Sequence, residues 1–290
     1  MSKYYCLIAG LPSISPDDAK LTCSVADFKA ELEPVLTEQD KQLMRWFYFK
    51  FDNRNILSLI KKKSDDHFDG RGNLSKTAVE ELFFWLKEEN TVPKNMNVPS
   101  YMPTFIREYL TRIEEEQPID FQLLEDRLSV LYYEAAMKCG NEFLHAWFEM
   151  NLNMGNLLSV FSCRKYGLNK DHFIIGNNEV AEWLRKSGSR ENQFGDTFDY
   201  MSELVQIVEE EEPIVREKRL DVLRWKWLEE QTFFKTFDIE SVLTYMLQLE
   251  MIERWVALDK TLGDNTFRKL VAAMKQESAL TLEEFKENNK

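Results

Sequence analysis

The chain has 290 residues, 44% of them hydrophobic, including 20 Phe, 10 Tyr and 7 Trp; this is too much apolar material for a disordered polypeptide. With only 10 Gly and 8 Pro, the sequence lacks the frequent tight turns of a β-sandwich or barrel, and the expected fold class is all-α. Lys and Arg total 37 against 50 Asp and Glu, a formal charge of −13, which opposes sustained contact with nucleic-acid phosphates or anionic lipid.

Taken in chain order, a short extended segment is expected at 4–9, ending in Gly10-Leu11-Pro12. Its apolar stretch is too short for a signal-peptide core. After a loop at 13–20, a helix is expected from Thr37, an N-cap with Asp40 three residues on, to the lysines at 61–63, whose charge suits the negative helix end. At 1.5 Å per residue it would be a rod of about 40 Å. A polar loop leads to a helix over 75–89, where Val79, Leu82, Phe83 and Leu86 recur at helical spacing. The segment 90–103 contains three prolines and reads as a connector. Helices then follow at 104–115, 119–138 and 141–166, with Pro118 and Gly140 as punctuation and Gly167 as a C-terminal cap. The stretch 168–200 is less regular, with a short helix at 179–186 and a Ser187-Gly188-Ser189 loop. Further helices are expected at 201–211, 214–230, 239–262 and 265–278, before a frayed tail from Glu283.

Two of the long helices share a signature. Trp46-Phe47 is followed by Asp52, Asn55, Leu57 and Ser58; Trp147-Phe148 is followed by Asn153, Asn156, Leu158 and Ser159, at a constant offset of 101 without a gap. Each helix has an apolar wall interrupted by a D/N-x-x-N pair that lies on one face, one turn apart. A buried amide left without a partner costs about 1–3 kcal/mol, so Asn55 and Asn156 are expected to bridge to the backbone of a neighbouring helix or loop. The competing reading is that common helix composition produced the match by chance; the gapless frame argues against it. A third, weaker copy is discernible over 242–258, around Tyr245, Leu249, Ile252 and Trp255. The repeat divides the chain into linked helical bundles at 1–116, 117–200 and 201–290, and the long helices suggest an elongated arrangement.

This pattern resembles the C-type (eukaryotic d-type) subunits of the A-type and V-type rotary ATPases, a family of funnels built from three repeated helical bundles. The resemblance lies in Asp52-Asn53-Arg54-Asn55 with Lys61–Lys63, and in Asn153-Met154-Gly155-Asn156 with Arg164-Lys165. The second copy departs from it at Asn153, where an acid is usual, and at Gly155. The opening Tyr4-Tyr5-Cys6-Leu7-Ile8-Ala9-Gly10-Leu11-Pro12 is similar to the start of a little-described bacterial family encoded beside V-type ATP synthase subunits. The resemblance implies a non-catalytic connector without cofactors, part of a proton- or sodium-translocating motor. It would be cytoplasmic and peripheral to the inner membrane, with central-stalk and rotor-ring subunits as partners and no insertion into the bilayer. On that reading the acidic run Glu209, Glu210, Glu211 and Glu212 would meet a cationic patch on the stalk; the simpler reading is a solvated helix end.

Catalytic signatures are missing from the sequence. Asp65-Asp66-His67-Phe68-Asp69-Gly70 resembles a calcium loop only superficially, because Lys76 stands where the bidentate Glu is required. The three histidines, His67, His145 and His172, are scattered; His145 reads as a helix-surface or core residue. Arg224-Trp225-Lys226-Trp227 alternates basic and aromatic residues, but on a helix this pattern more often packs one ring and shields the other. Cys6, Cys23, Cys139 and Cys163 form no CxxC pair and read as reduced thiols. The alternatives to a connector are a stand-alone cytoplasmic helical adaptor and, more remotely, an enzyme.

Overall fold

Capping chemistry sets where the helices begin. The computed structural model describes residues 4–62, 67–89, 91–93, 95–186 and 199–258, and these form twelve α-helices with no strand. In chain order they are α1 (Tyr5–Ala9), α2 (Val25–Leu32), α3 (Glu38–Trp46), α4 (Phe49–Ile60), α5 (Lys76–Glu88) and α6 (Tyr101–Glu114). There follow α7 (Phe121–Met137), α8 (Glu142–Tyr166), α9 (Glu179–Lys186), α10 (Met201–Val208), α11 (Pro213–Thr232) and α12 (Ile239–Ala257). Thr37 caps α3 by accepting the Asp40 N–H (3.2 Å) while its own hydroxyl donates to the Asp40 carboxylate (2.7 Å). Ser24, Ser75, Asp120 and Asn141 cap α2, α5, α7 and α8 in the same sense. Gly167 ends α8 at φ 66°, a left-handed conformation that only glycine adopts without strain. The expected helix at 265–278, the tail, the Ser187-Gly188-Ser189 loop and Asp65-Asp66 lie outside the described residues.

Three expectations are corrected. The segment 4–9 is not extended: it forms α1. The proline-rich connector ends earlier than expected, because α6 already begins at Tyr101 and carries Pro103 in its first turn, where an N–H has no intrahelical partner to lose. The single rod over 37–63 is two helices. Between α3 and α4 the hydrogen bonding tightens, with Phe47 N–H reaching the Met44 carbonyl (3.2 Å) and Tyr48 N–H the Arg45 carbonyl (3.0 Å). Phe47, Tyr48 and Phe49 are all buried, and three consecutive side chains of a continuous helix fan out over roughly 200° and cannot all face one core. The break resolves that conflict, and the Tyr132 hydroxyl donates to the Trp46 carbonyl beside it (2.8 Å).

The chain forms two compact units. The larger, 36–227, contains α3 to α10 and most of α11. In it α7 packs against α4, α6 and α8, α5 lies on α4 and α6, and α9 and α10 lie on α8. Its interior includes Phe47, Ile56, Met102, Phe105, Ile106, Leu128, Leu144 and Phe148. In the smaller unit, built from the N-terminal residues to Val35 and the chain from Leu228, α2 packs on α12. There Phe28 sets its edge against the Tyr245 ring at 5.2 Å, and Tyr4 N–H donates to the Phe237 carbonyl (2.7 Å), anchoring α1. Among the described residues, no helix is long and apolar enough to cross a membrane.

Candidate functional site

The two D/N-x-x-N pairs lie in the larger unit, on α4 and α8, with all four side chains buried. Each pair fastens its helix to the loop that follows. On α4, Asn55 Oδ1 accepts the Asp69 N–H (2.7 Å) and Asn55 Nδ2 donates to the Asp69 carbonyl (3.0 Å). On α8, Asn156 Oδ1 accepts the Ile175 N–H (2.9 Å) and Asn156 Nδ2 donates to the Ile175 carbonyl (2.8 Å). In both places a side-chain amide pairs with both polar groups of one loop residue, as a neighbouring strand would. Loss of either bond would leave a buried group unpaired at a cost of about 1–3 kcal/mol.

One turn earlier the two locks differ in charge. Asp52 uses both oxygens as acceptors: Oδ1 takes the Leu74 N–H (2.9 Å), and Oδ2 takes the Asn73 N–H (2.9 Å) and Asn73 Nδ2 (3.1 Å). Asn153 accepts from Asn178 Nδ2 (2.8 Å) and donates to the Tyr200 hydroxyl (3.0 Å). A carboxylate suits a cradle of N–H donors, and an amide suits a site that offers one donor and one acceptor. Asn73 and Asn178 thus play parallel parts, and each stands at the entrance to the next helix, where Ser75 caps α5 and Asn178 caps α9 by accepting the Ala181 N–H (3.0 Å).

Close backbone approach accompanies both locks. A Cβ on Gly72 would fall 2.4 Å from Asp52 Oδ1, and a Cβ on Gly176 would fall 3.1 Å from Leu152 Cδ2. The loops are braced from outside. The Arg71 guanidinium grips the Asp69 carboxylate through Nε (2.9 Å) and Nη2 (2.6 Å) and lies 4.1 Å above the centre of the Phe51 ring. Arg185 Nη2 donates to the carbonyls of Ile174 (3.0 Å) and Gly176 (2.7 Å). Asp69, part of the tract that resembled a calcium loop, is therefore engaged by Arg71 and Asn55. No group of three or more His, Cys, Asp or Glu among the described residues is placed to hold a metal ion.

Burial pushes the Asp52 carboxyl upward from its ordinary pKa, against the opposing pull of the Asn73 and Leu74 N–H groups and of Arg45. The Asp69 carboxyl is drawn downward, chiefly by its bonds to Arg71. Tyr200 is pushed up to about 12 by burial. Each side-chain oxygen and nitrogen of the four lock residues is engaged by another protein group, so each pair ties its helix to the segments that follow it.

The aromatic pairs behave less uniformly. Phe47 and Phe148, equivalent in the 101-residue frame, stack on one another with centroids 5.7 Å apart and planes 20° apart. Trp46 and Trp147 do not share surroundings. Trp46 ends α3, half-buried, against Tyr101 and Phe49, whereas Trp147 lies within the unbroken α8 and meets Trp227 at 5.7 Å. In the acidic run, Glu210 approaches Arg219 at 3.6 Å, and the Glu212 carbonyl accepts the Arg216 N–H at the start of α11. Glu209, Glu211 and Glu212 are exposed. His145 lies on the helix surface, with Nδ1 2.8 Å from the Met137 carbonyl.

The loop halves of the locks, Asp69, Gly72 and Asn73 in one and Ile175, Gly176, Asn178 and Tyr200 in the other, escaped the sequence reading. The loop partners stand 14 and 19 residues after their asparagines, so the constant offset ends with the helices. A signal was present in the glycine followed within two residues by the locking asparagine before α5 and α9, Gly72-Asn73 and Gly176-Asn177-Asn178.

A comparison with curated proteins found no match. A family model, described as "Protein of unknown function (DUF2764)", matches residues 1–278. That match spans nearly the whole chain, including both locks, and the chain belongs to this family.

Proposed function

We propose that this chain is a non-catalytic connector subunit of a bacterial V-type ATP synthase, joining the central rotor stalk to the membrane rotor ring from the cytoplasmic side. The doubled lock carries the reading. A part that passes torque must resist axial slip of its helices, and a slip of one turn, about 5.4 Å, would break every bond that Asn55 or Asn156 makes to its loop. The resemblance of the two helix signatures to those of the rotary-ATPase connector family supports the same assignment, as does the all-helical build. In this role no bond is made or broken, and no cofactor is required.

The acidic run Glu209–Glu212 is the proposed stalk contact, with Glu209, Glu211 and Glu212 exposed to meet cations. Binding of the purified chain to the purified stalk assembly of the same enzyme tests this. The expected result is association that weakens with salt, and that weakens further on reversing the four charges to Lys. No association would refute the connector. Affinity unchanged by the charge reversal would refute the assigned contact.

A second reading, a stand-alone helical adaptor, is favoured by one observation. Between α11 and α12 the rings of Phe233 and Phe234 stand exposed, 4.9 Å apart and perpendicular to one another, and an exposed aromatic pair suits a protein partner. Recovery of a soluble partner that binds through this pair, in place of stalk subunits, would favour the adaptor.

A further inference from the structure

The C-terminal tip of α8 runs against the character of the whole chain. Over 164–173 the sequence reads Arg-Lys-Tyr-Gly-Leu-Asn-Lys-Asp-His-Phe, with three cations, Arg164, Lys165 and Lys170, and one acid, Asp171. In a protein of formal charge −13 this decade is locally cationic. It is also locally apolar: Tyr166 is 70% exposed and Leu168 53%, and Phe173 is exposed as well.

The turn at the end of α8 makes the exposure of Leu168 unexpected. Gly167 N–H bonds to the Arg164 carbonyl (3.3 Å) and Leu168 N–H to the Cys163 carbonyl (2.8 Å). In such a helix ending, the residue after the left-handed glycine ordinarily packs back on the last turn. Leu168 leaves half its surface in solvent instead. Lys170 Nζ is tied to the Leu184 carbonyl, which fixes the base of the tip, while Arg164 and Lys165 are exposed on it.

We infer that this tip is a contact site for an anionic phospholipid surface. The exposed cations Arg164 and Lys165 are followed directly by the exposed Tyr166 and Leu168, so charge and apolar surface share one small helix tip. They match a bilayer interface, where Lys and Arg meet phosphate, tyrosine sits at headgroup depth and a leucine enters the acyl boundary. The net negative charge does not forbid this contact. At physiological ionic strength fields decay over about 8 Å, so the charges at the tip dominate what a surface touching it experiences. Each cation near an anionic leaflet strengthens binding by roughly fivefold.

The test uses the full chain and vesicles alone, without any rotary-ATPase subunit, so its outcome is independent of the connector assignment. Sedimentation with phosphatidylglycerol–phosphatidylcholine vesicles is compared with sedimentation on phosphatidylcholine vesicles. Binding to the anionic vesicles only, weakening as salt is raised, is expected. Arg164→Gln with Lys165→Gln should reduce it by roughly 25-fold, two factors of about five, and Tyr166→Ser with Leu168→Ser should also reduce it. All four positions are exposed, and unchanged circular dichroism verifies that the variants fold. The inference is overturned by absence of vesicle binding, by equal binding to neutral vesicles, or by binding that survives both tip variants. It is equally overturned if Phe233→Ser with Phe234→Ser abolishes binding while the tip variants keep it.

Discussion

Replacing Asn156 by Asp tests the lock at the level of a single atom. Asn156 is 1% exposed and gives its Nδ2 hydrogen to the Ile175 carbonyl at 2.8 Å. In Asn156→Asp one oxygen still accepts the Ile175 N–H, but the other faces that carbonyl oxygen, acceptor against acceptor, and a negative charge is buried beside it. An uncompensated buried charge, as left when a buried ion pair loses one partner, costs about 3–5 kcal/mol; the retained N–H bond places the expected loss near the lower end, about 3 kcal/mol. For a folded unit of this size, about 2–4 °C per kcal/mol converts this to a fall in Tm of about 6–12 °C at neutral pH. The new carboxyl regains its bond when protonated, so its folded pKa must exceed the unfolded value of about 3.9. The penalty is therefore absent below about pH 4 and grows as pH rises toward and through the folded pKa. Scanning calorimetry of variant and parent at matched pH reads the difference directly, and Asn156→Ala should show a penalty independent of pH. Equal Tm values at neutral pH, or a difference that does not shrink on acidification, would show that Asn156 Nδ2 does not hold the Ile175 carbonyl.

Other consequences follow from the same geometry. Asn55→Ala strands the polar groups of Asp69 and should cost about 2 kcal/mol, the sum of two net hydrogen bonds, measured by urea denaturation. Gly72→Ala drives a methyl group to 2.4 Å from Asp52 Oδ1, an oxygen already fixed by the Leu74 N–H; a loss of about 1–3 kcal/mol is expected in the same assay. Tyr200, pushed up to about 12, favours the folded state while protonated. That contribution is complete below the unfolded pKa of about 10 and is lost as pH rises through about 12. Alkaline unfolding followed by circular dichroism should thus be less steep in Tyr200→Phe, which has no phenol to ionise.

What the sequence revealed, and what it hid, follows from the range of the interactions. Thr37 and Gly167 announced their helix ends because a cap acts within one turn. The need of Asn55 and Asn156 for backbone partners is implied by the cost of burying an amide. Their partners, Asp69 and Ile175, are not implied, because they lie on loops of unequal length reached by no common spacing. The break at Phe47-Tyr48 was invisible for another reason: Trp46-Phe47-Tyr48-Phe49 has enough apolar character to continue a helix, and only the burial of three consecutive rings in one core forces the turn. The N-terminal segment offered no local sign that Tyr4 would bond to Phe237, a contact across most of the chain. The 101-residue frame indicated that Phe47 and Phe148 are equivalent, yet it did not place their rings against each other; nor did it show that Trp46 and Trp147 would part company on either side of the helix break.

Affinity isolation of the tagged chain from gently solubilised native membranes, followed by mass spectrometry, tests the connector assignment most directly. A connector should bring down V-type central-stalk and rotor-ring subunits in one assembly. A set of partners that lacks both, however reproducible, would contradict the assignment.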